Sequence, residues 1–231
     1  MRLVGLIGGM SWESTAEYYR IVNDEIAARL GALSSARLLL SSVDFGPIAA
    51  AMKAGDWGSV REALVGEALR LRMAGVEALA LATNTMHRFA ADLEAECGLP
   101  LIHIADAAAT AIKAAGFRRA GLLGTVFTME EAFYRDRLRE RHGIEVIVPE
   151  RADRLEVDRC IFGELCRGVI DPRSAARLKE IAASLAEAGA EGILLGCTEL
   201  PLAMRDGDLA VPYWDTTLLH ARALVDFMLE A

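Results

Sequence analysis

Two polar strings carry the side chains of this 231-residue chain that could do chemistry, and each ends an apolar run. One is Gly196-Cys197-Thr198-Glu199 and the other is Thr83-Asn84-Thr85. A thiol has an ordinary pKa of about 8.5 that surroundings can lower toward neutrality, so Cys197 is a candidate acid, base or nucleophile. A threonine hydroxyl has no such accessible pKa, and Thr83 is a poor base that can pass on a proton only when something polarises it. The remaining cysteines, Cys97, Cys160 and Cys166, lack a comparable context and read as small buried hydrophobes. No C-x-x-C pair and no Cys/His group with zinc spacing occurs, so a metal site is not expected. Gly5, Gly8 and Gly9 do not form G-x-G-x-x-G, which excludes the dinucleotide fingerprint.

The elements that must position these strings follow from periodicity. Short apolar runs at Leu3–Ile7, Arg37–Val43, Ala78–Ala82, Leu101–Ile104 and Ala120–Leu123 predict strands. Helical spacing predicts helices over Ser14–Leu30, Trp57–Ala74, Phe89–Glu96, Ala107–Ala115 and Thr216–Leu229. Such alternation means α/β architecture, with parallel strands covered by helices.

An internal repeat organises the pattern. Ala74 to Thr85 can be laid over Ala188 to Glu199 at one constant offset, so that Thr83 matches Cys197. Val4-Gly5-Leu6-Ile7-Gly8-Gly9 similarly matches Ala120-Gly121-Leu122-Leu123-Gly124-Thr125, with Tyr18 meeting Tyr134 at the same offset. A third match pairs Ile102-His103-Ile104-Ala105-Asp106 with Val211-Pro212-Tyr213-Trp214-Asp215. The expected fold is therefore two similar parallel-sheet α/β halves related by pseudo-two-fold symmetry, with the active site between them. Residues 1–100 plus 214–231 form the first half and 101–213 the second.

Ligands of parallel α/β sheets sit beyond the carboxyl ends of strands, where both tripeptides and the Gly8-Gly9 and Gly124-Thr125 turns fall. If the halves face each other, residues 83 and 197 address opposite sides of the ligand. That arrangement suits inversion of a carbon, one group removing a proton and the other delivering one. Backbone N–H groups of the turns and the hydroxyls of Ser11, Thr85, Thr125, Thr128 and Thr198 offer donors for a carboxylate.

These residues meet a known pattern. Gly8-Gly9-Met10-Ser11-Trp12-Glu13-Ser14-Thr15, Thr83-Asn84-Thr85-Met86-His87 and Leu195-Gly196-Cys197-Thr198-Glu199 resemble the cofactor-independent aspartate/glutamate racemases. The resemblance spans essentially the whole chain and is closest to the bacterial L-aspartate/glutamate-specific subgroup. It implies a two-base mechanism between Thr83 and Cys197 without pyridoxal phosphate or metal, and a homodimer. It also implies substrate contacts from Met10, Ser11, Asn84, Thr85, Thr125, Thr128 and Thr198, and from the stretch after Asp44-Phe45. Most relatives carry cysteine where Thr83 stands; the L-specific subgroup also carries threonine. Cys197 is expected to act as a thiolate on one face and Thr83 on the other, with unequal directions.

Other residues have plainer readings. A distal substrate carboxylate needs a cation or several donors. Lys53 is the candidate cation beside Met52, where relatives often carry a polar residue; Arg159 and Arg167 are the alternative source, or part of a solvated helix face. His87 caps a helix or tunes the site, and His103 and His220 are core or surface histidines. Glu199 holds the environment of Cys197 or caps the next segment, and Asp106 and Asp215 are matched strand-to-helix caps. The net charge of −8 and pI of about 5.1 argue against nucleic-acid binding but allow an acidic small molecule in a locally positive pocket. No apolar run reaches the length of a membrane span, and a cytoplasmic protein is the default. Competing readings are a broad-specificity racemase, a decarboxylase or isomerase on the same scaffold, and a non-racemising amino-acid-binding protein.

Overall fold

The structure, a computed structural model, describes residues 1–204 and 207–230. Its strands are β1 (Val4–Gly8), β2 (Leu38–Ser42), β3 (Ala78–Leu81), β4 (Arg119–Gly124), β5 (Glu145–Ile147), β6 (Gly192–Gly196) and β7 (Tyr213–Asp215). Its α-helices are α1 (Trp12–Leu30), α2 (Phe45–Ala54), α3 (Trp57–Met73), α4 (Ala90–Cys97), α5 (Ile104–Ala114) and α6 (Val126–Glu130). They continue with α7 (Ala132–His142), α8 (Arg151–Gly163), α9 (Pro172–Glu187), α10 (Leu200–Ala203) and α11 (Thr216–Leu229). Among the described residues no helix is long and apolar enough to cross a membrane.

The strands form two parallel sheets, ordered β2-β1-β3 and β5-β4-β6-β7. β1, β3 and β6 are buried throughout, as expected of parallel strands covered on both faces. The repeat is thus one of topology, with β1, β2 and β3 corresponding to β4, β5 and β6. A lone parallel bridge between Leu79 and Leu101 continues the first sheet where β7 continues the second. Leu79 pairs with Leu101 as Ile193 pairs with Tyr213, and Leu79 N and Ile193 N donate to the carbonyls of Pro100 and Pro212. The third match of the repeat is therefore displaced from the one read in the sequence: Leu101 corresponds to Tyr213, His103 to Asp215, and Ile104 to Thr216, the first residues of α5 and α11.

That displacement corrects two expectations. Only Leu101 of the Leu101–Ile104 segment pairs, because the alanine-rich stretch after Ile104 is already helical. Asp215 does cap its helix, accepting from the backbone N–H groups of Thr217 and Leu218. Asp106 instead lies within the first turn of α5. It accepts both arms of Arg137 at 2.7 and 2.6 Å, and the Nε2–H of His142 at 2.8 Å. Burial pushes its carboxyl up, but Arg137 and His142 outweigh this and hold it below the ordinary range. A depressed carboxylate stabilises the fold above its unfolded pKa, and that contribution is lost as pH falls through the folded value. Asp106→Asn should cost about 1 kcal/mol at pH 7, solvent screening keeping the figure low. The difference should shrink in urea titrations once the pH falls below the ordinary aspartate pKa.

Among the helices, the expected Phe89–Glu96 segment is a 3-10 turn over Thr85–Phe89 followed by α4. α2 has no counterpart in the periodicity reading. It is a local construction between the Asp44 side chain, which accepts from Gly46 N, and the left-handed Gly55.

The chain divides into two compact units, Met1–His103 together with the chain from His220 on, and Ile104–Leu219. In the first, Met228 O accepts from Arg2 N at 2.9 Å, and Arg222 pairs with Glu25 at 2.8 Å. In the second, α5 packs on α7, and Ala105, Ala108, Ala109 and Ile112 join the core around β4 and β6.

Candidate active site

Cys197 directly follows β6, whose apolar residues are fully buried, and is itself 8% exposed. Its thiol donates to Glu199 Oε2 at 2.9 Å, and the Thr198 hydroxyl donates to the same oxygen at 2.6 Å. Glu199 is buried, so two donors converge on a carboxylate largely removed from water. Burial drives the Cys197 thiol well above its ordinary pKa; the Glu199 carboxylate and then Cys166 push in the same direction. The expected resting thiolate is thus corrected. Desolvation and a neighbouring anion both disfavour the charged sulfur, and Cys197 rests as a thiol. Glu199→Gln removes the anion, so alkylation of Cys197 by iodoacetamide at pH 8, followed peptide by peptide, should accelerate, the remaining burial keeping the rate below that of a free thiol. An unchanged rate would show that Glu199 does not control the thiol.

Thr83 stands at the corresponding position after β3 and is also buried. Its carbonyl accepts the Nδ1–H of His87 at 2.8 Å. Asn84 and Thr85 follow it and are buried as well.

The turns after β1 and β4 are built by threonines. Thr15 Oγ1 accepts from Gly9 N and donates to Ser11 O, both at 2.8 Å. Ser11 caps α1 by accepting from Ser14 N, with Met10 buried just before it. Gly8 and Gly9 are required here. A Cβ on Gly8 would meet Thr15 Cγ2 at 2.5 Å, and one on Gly9, at φ +91°, would meet Val43 O at 2.2 Å. In the second unit Thr125 caps α6 by accepting from Thr128 N at 3.3 Å, and both threonines are buried.

A contributor the sequence reading missed is Asp158 on α8, whose carboxylate accepts from Val126 N at 2.8 Å and so fixes the turn after β4. Burial raises its pKa. No local signal marks it, because its partner is distant in sequence and its helix is rich in charge. The proposed distal-carboxylate residues lie on α2, Met52 buried and Lys53 exposed in the last turn. Arg159 is engaged with Glu156 and Glu164 on an exposed face. Arg167 is exposed on the short 3-10 turn Leu165–Arg167, which packs on α10, the helix that follows Cys197.

Within each unit, then, one parallel strand leads to the candidate residue, Thr83 or Cys197, and the strand paired with it ends in a glycine turn followed by a hydroxyl-capped helix. The model of the Asp/Glu/hydantoin racemases matches residues 7–224. The chain belongs to that family. Family members of known structure include a Yersinia pestis protein solved as a candidate Asp/Glu racemase. It is 49% identical over the whole of both chains, with a TM-score of 0.94. An aspartate racemase homologue from Pyrococcus horikoshii OT3 is 34% identical, again over the whole of both chains, with a TM-score of 0.84. An unliganded arylmalonate decarboxylase is 17% identical over 100% of this chain and 94% of its own, with a TM-score of 0.55; there the likeness is one of fold. Family membership implies isomerase chemistry, and the substrate must be argued from this chain's own residues.

Proposed function

We propose that this protein is a cofactor-independent racemase of aspartate and glutamate, in which Cys197 and Thr83 address opposite faces of the α-carbon. The observation that carries the reading is the Cys197–Glu199 hydrogen bond. For Cys197 to accept the α-proton it must first lose its own, and Glu199 Oε2 is the acceptor at 2.9 Å. The S–H bond breaks as an O–H bond forms on Glu199, leaving the pair's total charge unchanged. Sulfur then takes the α-proton, and the Thr83 hydroxyl gives its proton to the opposite face and regains one from water; the hydroxide so formed takes the proton held on Glu199, which restores the carboxylate and closes the cycle.

Thr83 suits this role. A carbanion is more basic than an alkoxide, so the hydroxyl is an adequate acid toward it while remaining a poor base toward the α-hydrogen. The rest of the rate must come from positioning and from donors that stabilise the α-carboxylate as charge develops. The backbone and hydroxyls around Met10, Ser11, Asn84, Thr85, Thr125, Thr128 and Thr198 are assigned that work. Met52 and Lys53 are assigned to the distal carboxylate, with Arg167 the second candidate cation.

Enantiomers have equal free energy, so kcat/KM for inversion is the same in both directions. The asymmetry must show in exchange without inversion. In D2O, the enantiomer whose α-hydrogen faces Cys197 should take up deuterium with retention, and the other only with inversion. Thr83→Cys should introduce retentive exchange for the second enantiomer. No deuterium uptake into any aspartate or glutamate enantiomer would overturn the assignment. Uptake into an aryl-substituted malonate product with loss of CO2 would favour the decarboxylase scaffold instead.

A further inference from the structure

Three of the four histidines meet inside the first unit, all buried. His220 Nε2–H donates to Ile102 O at 2.8 Å, so in the neutral ring its Nδ1 accepts the Tyr18 hydroxyl, also at 2.8 Å. The ring centroids of His87 and His103 are 4.6 Å apart, and those of His87 and His220 are 5.4 Å apart. His87 spends its Nδ1–H on the Thr83 carbonyl.

The second unit does without every one of these. Pro201 stands where His87 stands, Asp215 where His103 stands, and Ala108 where His220 stands. Tyr134 matches Tyr18, yet among the described residues its buried hydroxyl has no hydrogen-bond partner. The two carbonyls after the strands are also secured differently. Cys197 O accepts the backbone N–H of Leu200 at 3.2 Å, whereas the Thr83 carbonyl accepts an imidazole. The fold does not need the cluster; the Thr83 side has it and the Cys197 side does not.

We propose that His87 is a positioning residue for Thr83. It acts through the Thr83 carbonyl, with its own ring held by His103 and by the Tyr18–His220 pair. A thiolate can reach a proton over a range of poses, but a hydroxyl that must deliver its proton to a transient carbanion depends on close placement. A displacement of about 1 Å can cost on the order of a hundredfold in rate.

This inference rests on Thr83 being the second proton carrier, and the experiment separates the two. In D2O, His87→Leu should lower inversion by roughly thirtyfold or more, while retentive exchange from the Cys197 face stays within about threefold. His87→Asn keeps an N–H near the Nδ1 position and should recover most of the inversion. In a Thr83→Ala background, where only retentive exchange from the Cys197 face remains, His87→Leu should lower that exchange no further. Equal loss of inversion and retentive exchange, or a further loss in that background, overturns the positioning role. A second readout needs no substrate. Long-range 1H–15N spectra of the folded chain, assigned through His87→Asn, should show His87 as the Nδ1–H tautomer, and an Nε2–H tautomer overturns the proposal. If the parent exchanges no amino acid, the racemase reading falls, and the tautomer result still decides whether His87 holds the Thr83 strand end.

Discussion

Replacing Cys197 with alanine is expected to lower deuterium incorporation into both enantiomers of aspartate and glutamate by at least about a thousandfold. In the proposed mechanism every route to exchange passes through this residue, either as the group that removes the α-proton or as the group that returns one. Thr83→Ala should behave differently, abolishing inversion while leaving retentive exchange for one enantiomer. The contrast follows from the acidities of the two side chains. The fold should survive Cys197→Ala, since what is lost is one buried thiol and one donor to Glu199, which keeps the Thr198 hydroxyl, a cost of about 1–2 kcal/mol. Cys160→Ser and Cys166→Ser serve as controls, with exchange within a few-fold of the parent. Proton NMR of each enantiomer in D2O reads all four variants. Exchange retained above a tenth of the parent rate in Cys197→Ala would remove the thiol from the mechanism.

The second large effect is one of backbone geometry. Gly9→Ala is expected to destabilise the chain by about 3 kcal/mol or more, combining left-handed strain with overpacking. The added carbon would have Val43 O at 2.2 Å and Val43 N at 2.7 Å. Val43 N already donates to Gly8 O, so neither backbone can withdraw without opening the pairing of β1 with β2. Gly75→Ala is the comparison. Its φ of +84° is similar, but nothing lies within 4 Å of the new carbon, and about 1 kcal/mol is expected. Urea denaturation of the two variants side by side gives the difference. Equal losses would show that φ alone, and not the approach of Val43, makes glycine necessary. The same substitution should also weaken substrate binding, because a backbone shift at this position would carry its N–H away from Thr15 Oγ1 and loosen the start of α1.

Much of the site was legible because it depends on short-range pattern. An apolar run ending in glycine and a polar tripeptide identifies a strand end in a parallel sheet, and finding the string twice identifies the pair Thr83 and Cys197. The register of the third match was not legible. Several apolar residues near Leu101 and Tyr213 can be aligned in more than one way, and only the hydrogen bonds from Leu79 and Ile193 to Pro100 and Pro212 choose between them. Asp106 was misread for the same reason: aligned with Asp215 it looks like a cap, whereas its actual partners, Arg137 and His142, come from α7 and the end of that helix.

By itself, then, the sequence determined the α/β class, the duplicated strand-end strings that hold Thr83 and Cys197, and the glycine turns, all of which rest on periodicity and on chemistry local to a few residues. Tertiary structure decided the chemical state and support of those residues. Cys197 rests as a thiol because burial and Glu199 disfavour its charge, a property of surroundings that a spacing pattern cannot express. Thr83 is held by His87, and His87 is flanked by His103 and His220, residues that only the packing of α11 onto the first unit brings together. Proton chemistry is set by distance, desolvation and neighbouring charge, and those quantities exist only once the chain has folded.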